Sequence, residues 1–131
     1  CETPVMVIVH AGCRGLRAGI IQNACIEMRK LGGHPTIAVV GPCIYPKHYE
    51  FGSVELKHMT REFGPTVESE TKEGTPALDI PETARIALLR SNILDTQFIG
   101  ECTASSGKYW SHRVGGNIER QAMVAWLEEA S

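Results

Sequence analysis

The sequence has no CxxC pair, no apolar run long enough to cross a bilayer and no surplus of positive charge, and each lack removes a class of protein. The five cysteines, Cys1, Cys13, Cys25, Cys43 and Cys102, are odd in number and scattered, which argues against both a disulfide framework and a zinc ribbon. Free thiols in a reducing, cytoplasmic setting are the expectation. Cys1 in first place fits a chain cut from a longer one. A lipidated lipoprotein terminus fits less well, because unpaired thiols suit an oxidising compartment poorly. No apolar stretch approaches the roughly 20 residues a spanning helix needs, and the start lacks the basic and apolar regions of a signal peptide. A formal charge of −2 and a pI near 6.2 supply no field for phosphate backbones or anionic lipid. Neither nucleic acid nor membrane is expected as a partner.

The rest of the composition is that of a folded protein, with 43% hydrophobic and 21% charged residues in 131, a length that fits one domain over 1–131. Pro4 to His10 (PVMVIVH) is a continuous β-branched apolar run, which predicts a strand buried on both faces. After the loop AGCRG, the stretch from Leu16 to Leu31 spaces Ile21, Ala24, Cys25, Met28 and Leu31 as one helical stripe, and Gly32-Gly33 stops it. Thr36 to Val40 repeats the buried-strand pattern, so Pro4 to Gly41 reads as a β-loop-α-β unit with parallel strands. A helix from Ser53 carries Leu56, Met59 and Phe63 to Gly64-Pro65. Residues 68–75 read as a loop, and Pro81 opens a helix through Ser91. Strands at Gln97–Glu101 and Gln121–Leu127 complete a mixed β-sheet with helices packed on it, an α+β fold. Trp110 and Trp126 are expected as core and edge aromatics rather than as a stacking platform for a ligand.

Three places carry residues suited to chemistry. In His10-Ala11-Gly12-Cys13-Arg14-Gly15 an imidazole ends a strand where ligands of α/β sheets tend to bind. Gly12 and Gly15 let a ligand approach the backbone, and helix N-terminal amides with Arg14 or Arg17 favour an anion such as phosphate. Loops of this kind are common, and on the residues alone a hydrogen-bonded structural role is the preferred reading of His10. Cys43, in Gly41-Pro42-Cys43-Ile44, would neighbour His10 if the two strands are adjacent. A Cys–His pair serves as nucleophile and base or as metal ligands, but a small buried apolar residue is the preferred reading of Cys43. Cys102-Thr103, followed by Ser111-His112-Arg113 and Arg120, marks a strand end and a polar loop. Cys43 and Cys102 are both expected to be structural thiols of low reactivity, since neither has a basic neighbour in sequence.

Taken in order, these elements resemble the YfiH-type laccase-domain family. His10 to Leu16 with Gly19-Ile20 is similar to its motif HAGWRGL..GI, with Cys13 in place of the Trp. Gly41 to Ile44 with Tyr49-Glu50 is similar to GPCI…YEV, and Leu78-Asp79-Ile80 to its LDL segment. Cys102-Thr103, Ser111-His112-Arg113 and Arg120-Gln121-Ala122 are similar to its CT…FSYRR…GRQA ending, with Glu119 where the family has Gly. The resemblance implies the C-terminal half of a YfiH/CNF-like fold, truncated. It also implies a site in which a Cys and two His hold zinc, with copper less favoured, facing a purine nucleoside. Of those ligands only His10 has a counterpart in this sequence; the others belong to an upstream half, and Cys1 is too near His10 to replace the missing Cys. Gly12, Arg14 and Gly15 are then the anion-binding loop, with Cys43, Ser111, His112 and Arg113 as weaker candidates. The implied activities are purine nucleoside phosphorolysis or adenosine deamination, with polyphenol oxidation as an older description. Such activity would be incomplete without a partner or a homo-oligomer supplying the missing half. The alternative is a non-catalytic binding or assembly module that keeps the scaffold without the metal.

Overall fold

The computed structural model describes residues 4–128 and has an α+β architecture in which two short sheets lie among five helices. Cys1 lies outside the described residues. Strand β1 (Ile37–Val40) pairs in parallel with β4 (Asp95–Phe98), Ile37 opposite Asp95 and Val40 opposite Phe98. Beyond the strands the pairing shifts by one residue, and a parallel bridge joins Cys43 to Cys102. Strands β2 (Glu68–Glu70) and β3 (Pro76–Leu78) form a separate antiparallel pair.

Five helices surround these sheets: α1 (Cys13–Arg17), α2 (Ile20–Lys30), α3 (Ser53–Phe63), α4 (Ile80–Arg90) and the single turn α5 (His112–Gly115). The stripe expected from Leu16 to Leu31 is broken at Gly19, whose φ of 77° is left-handed and ends α1 before α2 begins; glycine takes that conformation without the steric penalty a side chain imposes. The C-terminus of α2 closes as foreseen. Gly32 turns left-handed, its N–H reaches the Arg29 carbonyl, and the Gly33 N–H reaches the Met28 carbonyl at 3.0 Å. This pairing satisfies carbonyls that a helix end leaves open. Asp79 caps α4 by accepting the Glu82 N–H at 2.8 Å, and Pro81 occupies the first turn.

The core joins the inward faces of these helices: Leu16, Ile21 and Cys25 meet Leu56, Met59 and Phe63, then Ala84, Ala87 and Leu88, with Val67 and Leu78 at the centre. Both stripes on α3 and α4 are buried as their spacing requires.

Several expectations fail at the periphery. Pro4 to His10 runs extended but joins no strand, and Gln121 to Leu127 likewise forms none. The β-loop-α-β unit therefore lacks its first strand among the described residues, and two small sheets stand where one mixed sheet was expected. A β-branched apolar run specifies an extended chain, but a ladder also needs a partner edge. Residues 68–75, read as a loop, hold β2 and a turn that brings β3 back upon it. Trp110 and Trp126 are exposed, Trp126 at 70%, and neither reaches the core.

Candidate functional site

The extended N-terminal segment alternates its side chains, with Val5, Val7 and Val9 half-buried and Met6, Ile8 and His10 exposed. Val9 and Ala11 pack against the core, which delivers the His10 imidazole to the surface at the mouth of the glycine loop. A Cβ at Gly12 would lie 3.2 Å from His10 Nε2, and one at Gly15 would lie 3.4 Å from the His10 carbonyl oxygen. The absence of a Cβ at the two glycines leaves room for the His10 ring and carbonyl beside the loop. Arg14 is exposed beside them, while Arg17 points away to Glu62 at 3.9 Å. The helix after the loop has only five residues, so little macrodipole assists an anion there. Arg14 is the principal positive group of the loop.

Tyr49 ties a distant segment to this loop, a role the sequence reading did not assign to it. Its hydroxyl donates to Cys13 Sγ at 3.6 Å, and the Arg113 guanidinium sits 4.7 Å above its ring. Burial raises the Tyr49 hydroxyl pKa, the Cys13 contact raises it further, and Arg113 opposes both. Cys13 and Arg113, from two separated motifs, thus meet across one buried aromatic. The available signal was Tyr49 itself, in the Tyr49-Glu50 element. Ser111 is buried, and its backbone N–H donates to Asn117 Oδ1 at 3.1 Å; His112 is exposed on α5.

Cys43 and Cys102 form a second grouping. The Cys43 N–H donates to the Glu101 carbonyl at 3.3 Å, and the Thr103 N–H donates to the Cys43 carbonyl at 3.0 Å. Burial, then the nearby Cys102 and Asp79, push the Cys43 thiol up to about 11. Cys102 departs from the expectation. Burial pushes it up, but the Ser105 hydroxyl and the N–H groups of Tyr45, Ala104 and Ser105 outweigh that, so its pKa falls below the ordinary thiol value. The sequence offered no basic neighbour, and the fold supplied hydrogen-bond donors in its place. Asp79 is held above the usual carboxylate range by burial, opposed by the Glu82 N–H and assisted by the Glu82 charge. It lines a shallow depression with Tyr45, Glu82, Arg85 and Phe98.

No three His, Cys, Asp or Glu side chains come together to hold a metal ion among the described residues. A catalytic zinc takes three protein ligands and keeps one position open. The donors among the described residues therefore do not fit a complete metal site, whatever His10 contributes.

Nor is any helix among the described residues long and apolar enough to cross a membrane. Comparison with known proteins finds relatives that share one name. Purine nucleoside phosphorylase ORF3 of Streptomyces griseus is 32% identical over 126 residues, covering 95% of this chain and 51% of that protein. The purine nucleoside phosphorylase of Streptomyces coelicolor is likewise 32% identical over 126 residues, 95% of this chain and 52% of its own length. That of Corynebacterium glutamicum is 33% identical over 132 residues, 96% and 52% respectively. The chain spans about half the length of the curated relatives it matches. Residues 2–128 match the family described as multi-copper polyphenol oxidoreductase laccase, and the chain belongs to that laccase-domain family.

Proposed function

We propose that this chain is one half, the C-terminal one, of a laccase-domain purine nucleoside phosphorylase, and that it contributes His10 and the Gly12–Gly15 loop to a site completed by other residues. The observation that carries this reading is the match to relatives named purine nucleoside phosphorylase along 95% of the chain but only about half of theirs. In this reading His10 is one ligand of a zinc ion, and a complementary half supplies the others. Gly12 and Gly15 keep the loop low, and Arg14 offers its guanidinium to phosphate. Ser111, His112 and Arg113 stand behind, Arg113 reaching the loop through Tyr49 and Cys13. Support for a complementary half comes from the surface. Met6, Ile8, Ile37 and Val39 are exposed on the extended segment and on β1, and apolar surface of this kind favours a covering partner. That partner is the missing half or a homologous copy in the reducing cytoplasm.

The test is inosine phosphorolysis with added zinc, first by this chain and then by the chain joined to the complementary half of a relative. The chain alone should be inactive, the joined protein active, and His10→Ala should abolish the gain. Activity of the joined protein that survives His10→Ala would remove His10 from the site. No activity in a folded, zinc-loaded joined protein would favour a binding or assembly module.

A further inference from the structure

We propose that Cys43 and Cys102 form a two-cysteine redox site, in which Cys102 attacks a low-molecular-weight disulfide and Cys43 resolves the product into an internal disulfide. The site uses neither His10 nor the glycine loop, so it stands independently of the phosphorylase reading. Its first support is register: Cys43 and Cys102 are direct partners in a parallel bridge, fixed on both sides of Cys43 by backbone hydrogen bonds to Glu101 and Thr103. Bridge partners on neighbouring strands lie about 4.8 Å apart. A disulfide needs Cα atoms about 4.4–6.8 Å apart. Neither side chain is sealed in the core. Among the described cysteines, Cys13 is engaged by Tyr49 and Cys25 is buried on α2, and neither faces a second thiol across a bridge.

The second support is the turn after Cys102. Residues 103–107 curl back so that the Ser106 N–H donates to the Cys102 carbonyl at 3.0 Å. The Ser105 N–H donates to the same carbonyl at 3.4 Å, and donors of this turn and of Tyr45 lower the Cys102 thiol pKa against the effect of burial. Converging amides stabilise a thiolate as they stabilise any anion. Cys43 has no such cradle and stays protonated beside it. The division of labour follows: Cys102 Sγ attacks one sulfur of R–S–S–R, forming Cys102–S–S–R and releasing one R–S⁻. Cys43 then gives its proton to solvent and attacks Cys102 Sγ, expelling the second R–S⁻. Two protein thiols are oxidised and one small disulfide is reduced to two thiols.

The experiment exposes the 131-residue protein to oxidised glutathione at neutral pH, quenches it with acid and maps the peptides by mass spectrometry. The parent protein should yield the Cys43–Cys102 cross-link, and Cys43→Ser should instead accumulate glutathione on Cys102. In the reduced parent, iodoacetamide should label Cys102 at least about tenfold faster than Cys43, since the thiolate is the reacting species. This labelling needs no variant, so a misfolded Cys43→Ser leaves the proposal exposed to refutation. Equal labelling of the two thiols, a lasting mixed disulfide on Cys102 of the parent, or cross-links spread over other cysteines would each overturn it.

Discussion

Replacing Gly33 with alanine tests what holds the N-terminal segment, and with it His10, in place. The segment from Pro4 to His10 has no strand partner among the described residues, so its position rests on side-chain packing. Gly33 is buried, and a Cβ there would lie 2.7 Å from Val5 Cβ, 2.9 Å from Val5 Cγ2 and 3.1 Å from Met28 Cγ. The closest of these atoms is attached directly to the backbone, so a rotamer change cannot relieve the contact and the chain must move. Overpacking of this kind costs about 1–3 kcal/mol. Gly33 does not have a positive φ, so alanine also gains about 0.4–1 kcal/mol by restricting the unfolded chain. The clash is the larger effect, and Gly33→Ala should lose about 1.3 kcal/mol in urea denaturation, the difference between the midpoints of those ranges, about 2 and about 0.7 kcal/mol. Val5→Gly removes the opposing Cβ. Combined with Gly33→Ala it should lose less than the sum of the single changes, by about 1 kcal/mol, as expected for touching residues. Hydrogen exchange of residues 5–11 should speed up in Gly33→Ala and slow again in the pair. A Gly33→Ala protein as stable as its parent, or strict additivity in the pair, would show that the segment is not seated on Gly33.

Two further perturbations probe the elements around the cysteine pair. Asp79→Ala removes the acceptor for the Glu82 N–H and should lower stability by about 1 kcal/mol in urea denaturation, the usual effect of losing an N-cap; no change would mean that the half-buried carboxyl costs as much as its cap contributes. Because the folded protein holds the Cys43 thiol at about 11 against 9.0 for an ordinary thiol, its stabilising contribution is whole below pH 9 and is lost as pH rises towards 11. Urea midpoints should fall across that window more steeply for the parent than for Cys43→Ala, and equal slopes would refute the assignment.

How much could be read beforehand depended on whether the information was local. The stripes of α3 and α4, the Gly32-Gly33 stop and the Gly64-Pro65 stop each lie within a few residues of sequence, and each appears where expected. The break at Gly19 is local too, but a glycine within a helical stripe is often tolerated, and only its left-handed φ separates the two outcomes. Strands were less legible because pairing is a property of two segments. Pro4 to His10 has the side chains of a central strand and none of the pairing, whereas Asp95–Phe98, a polar stretch, pairs because β1 presents an edge to it. At the candidate site, the nearness of His10 to Gly12 was legible from spacing. The meeting of Cys13 with Arg113 through Tyr49 was not, since those residues lie far apart in sequence. Nor was the behaviour of Cys102. Charge is visible in a sequence, but the aim of an N–H group is set by a turn.

The same distinction between local and paired information bears on how the proposed site could work. Catalytic groups need neighbours that fix their position to a fraction of an ångström, and His10 sits at the end of a segment with no ladder hydrogen bonds. Among the described residues Val9 and Ala11 pack on the core and Val5 on Gly33, and this packing restrains it. Its backbone pairs with no strand among the described residues, and the exposed Met6 and Ile8 beside it offer apolar surface to a strand from a partner. A strand added at this edge would satisfy the backbone, cover those side chains and immobilise the His10 ring over Gly12 in a single step. In the proposed two-half enzyme the complementary half therefore has two tasks, supplying the missing ligands and ordering the one already here. Supplying free imidazole and thiol ligands in solution would meet only the first, so such additives should fail to restore phosphorolysis to the isolated chain where a folded complementary half succeeds.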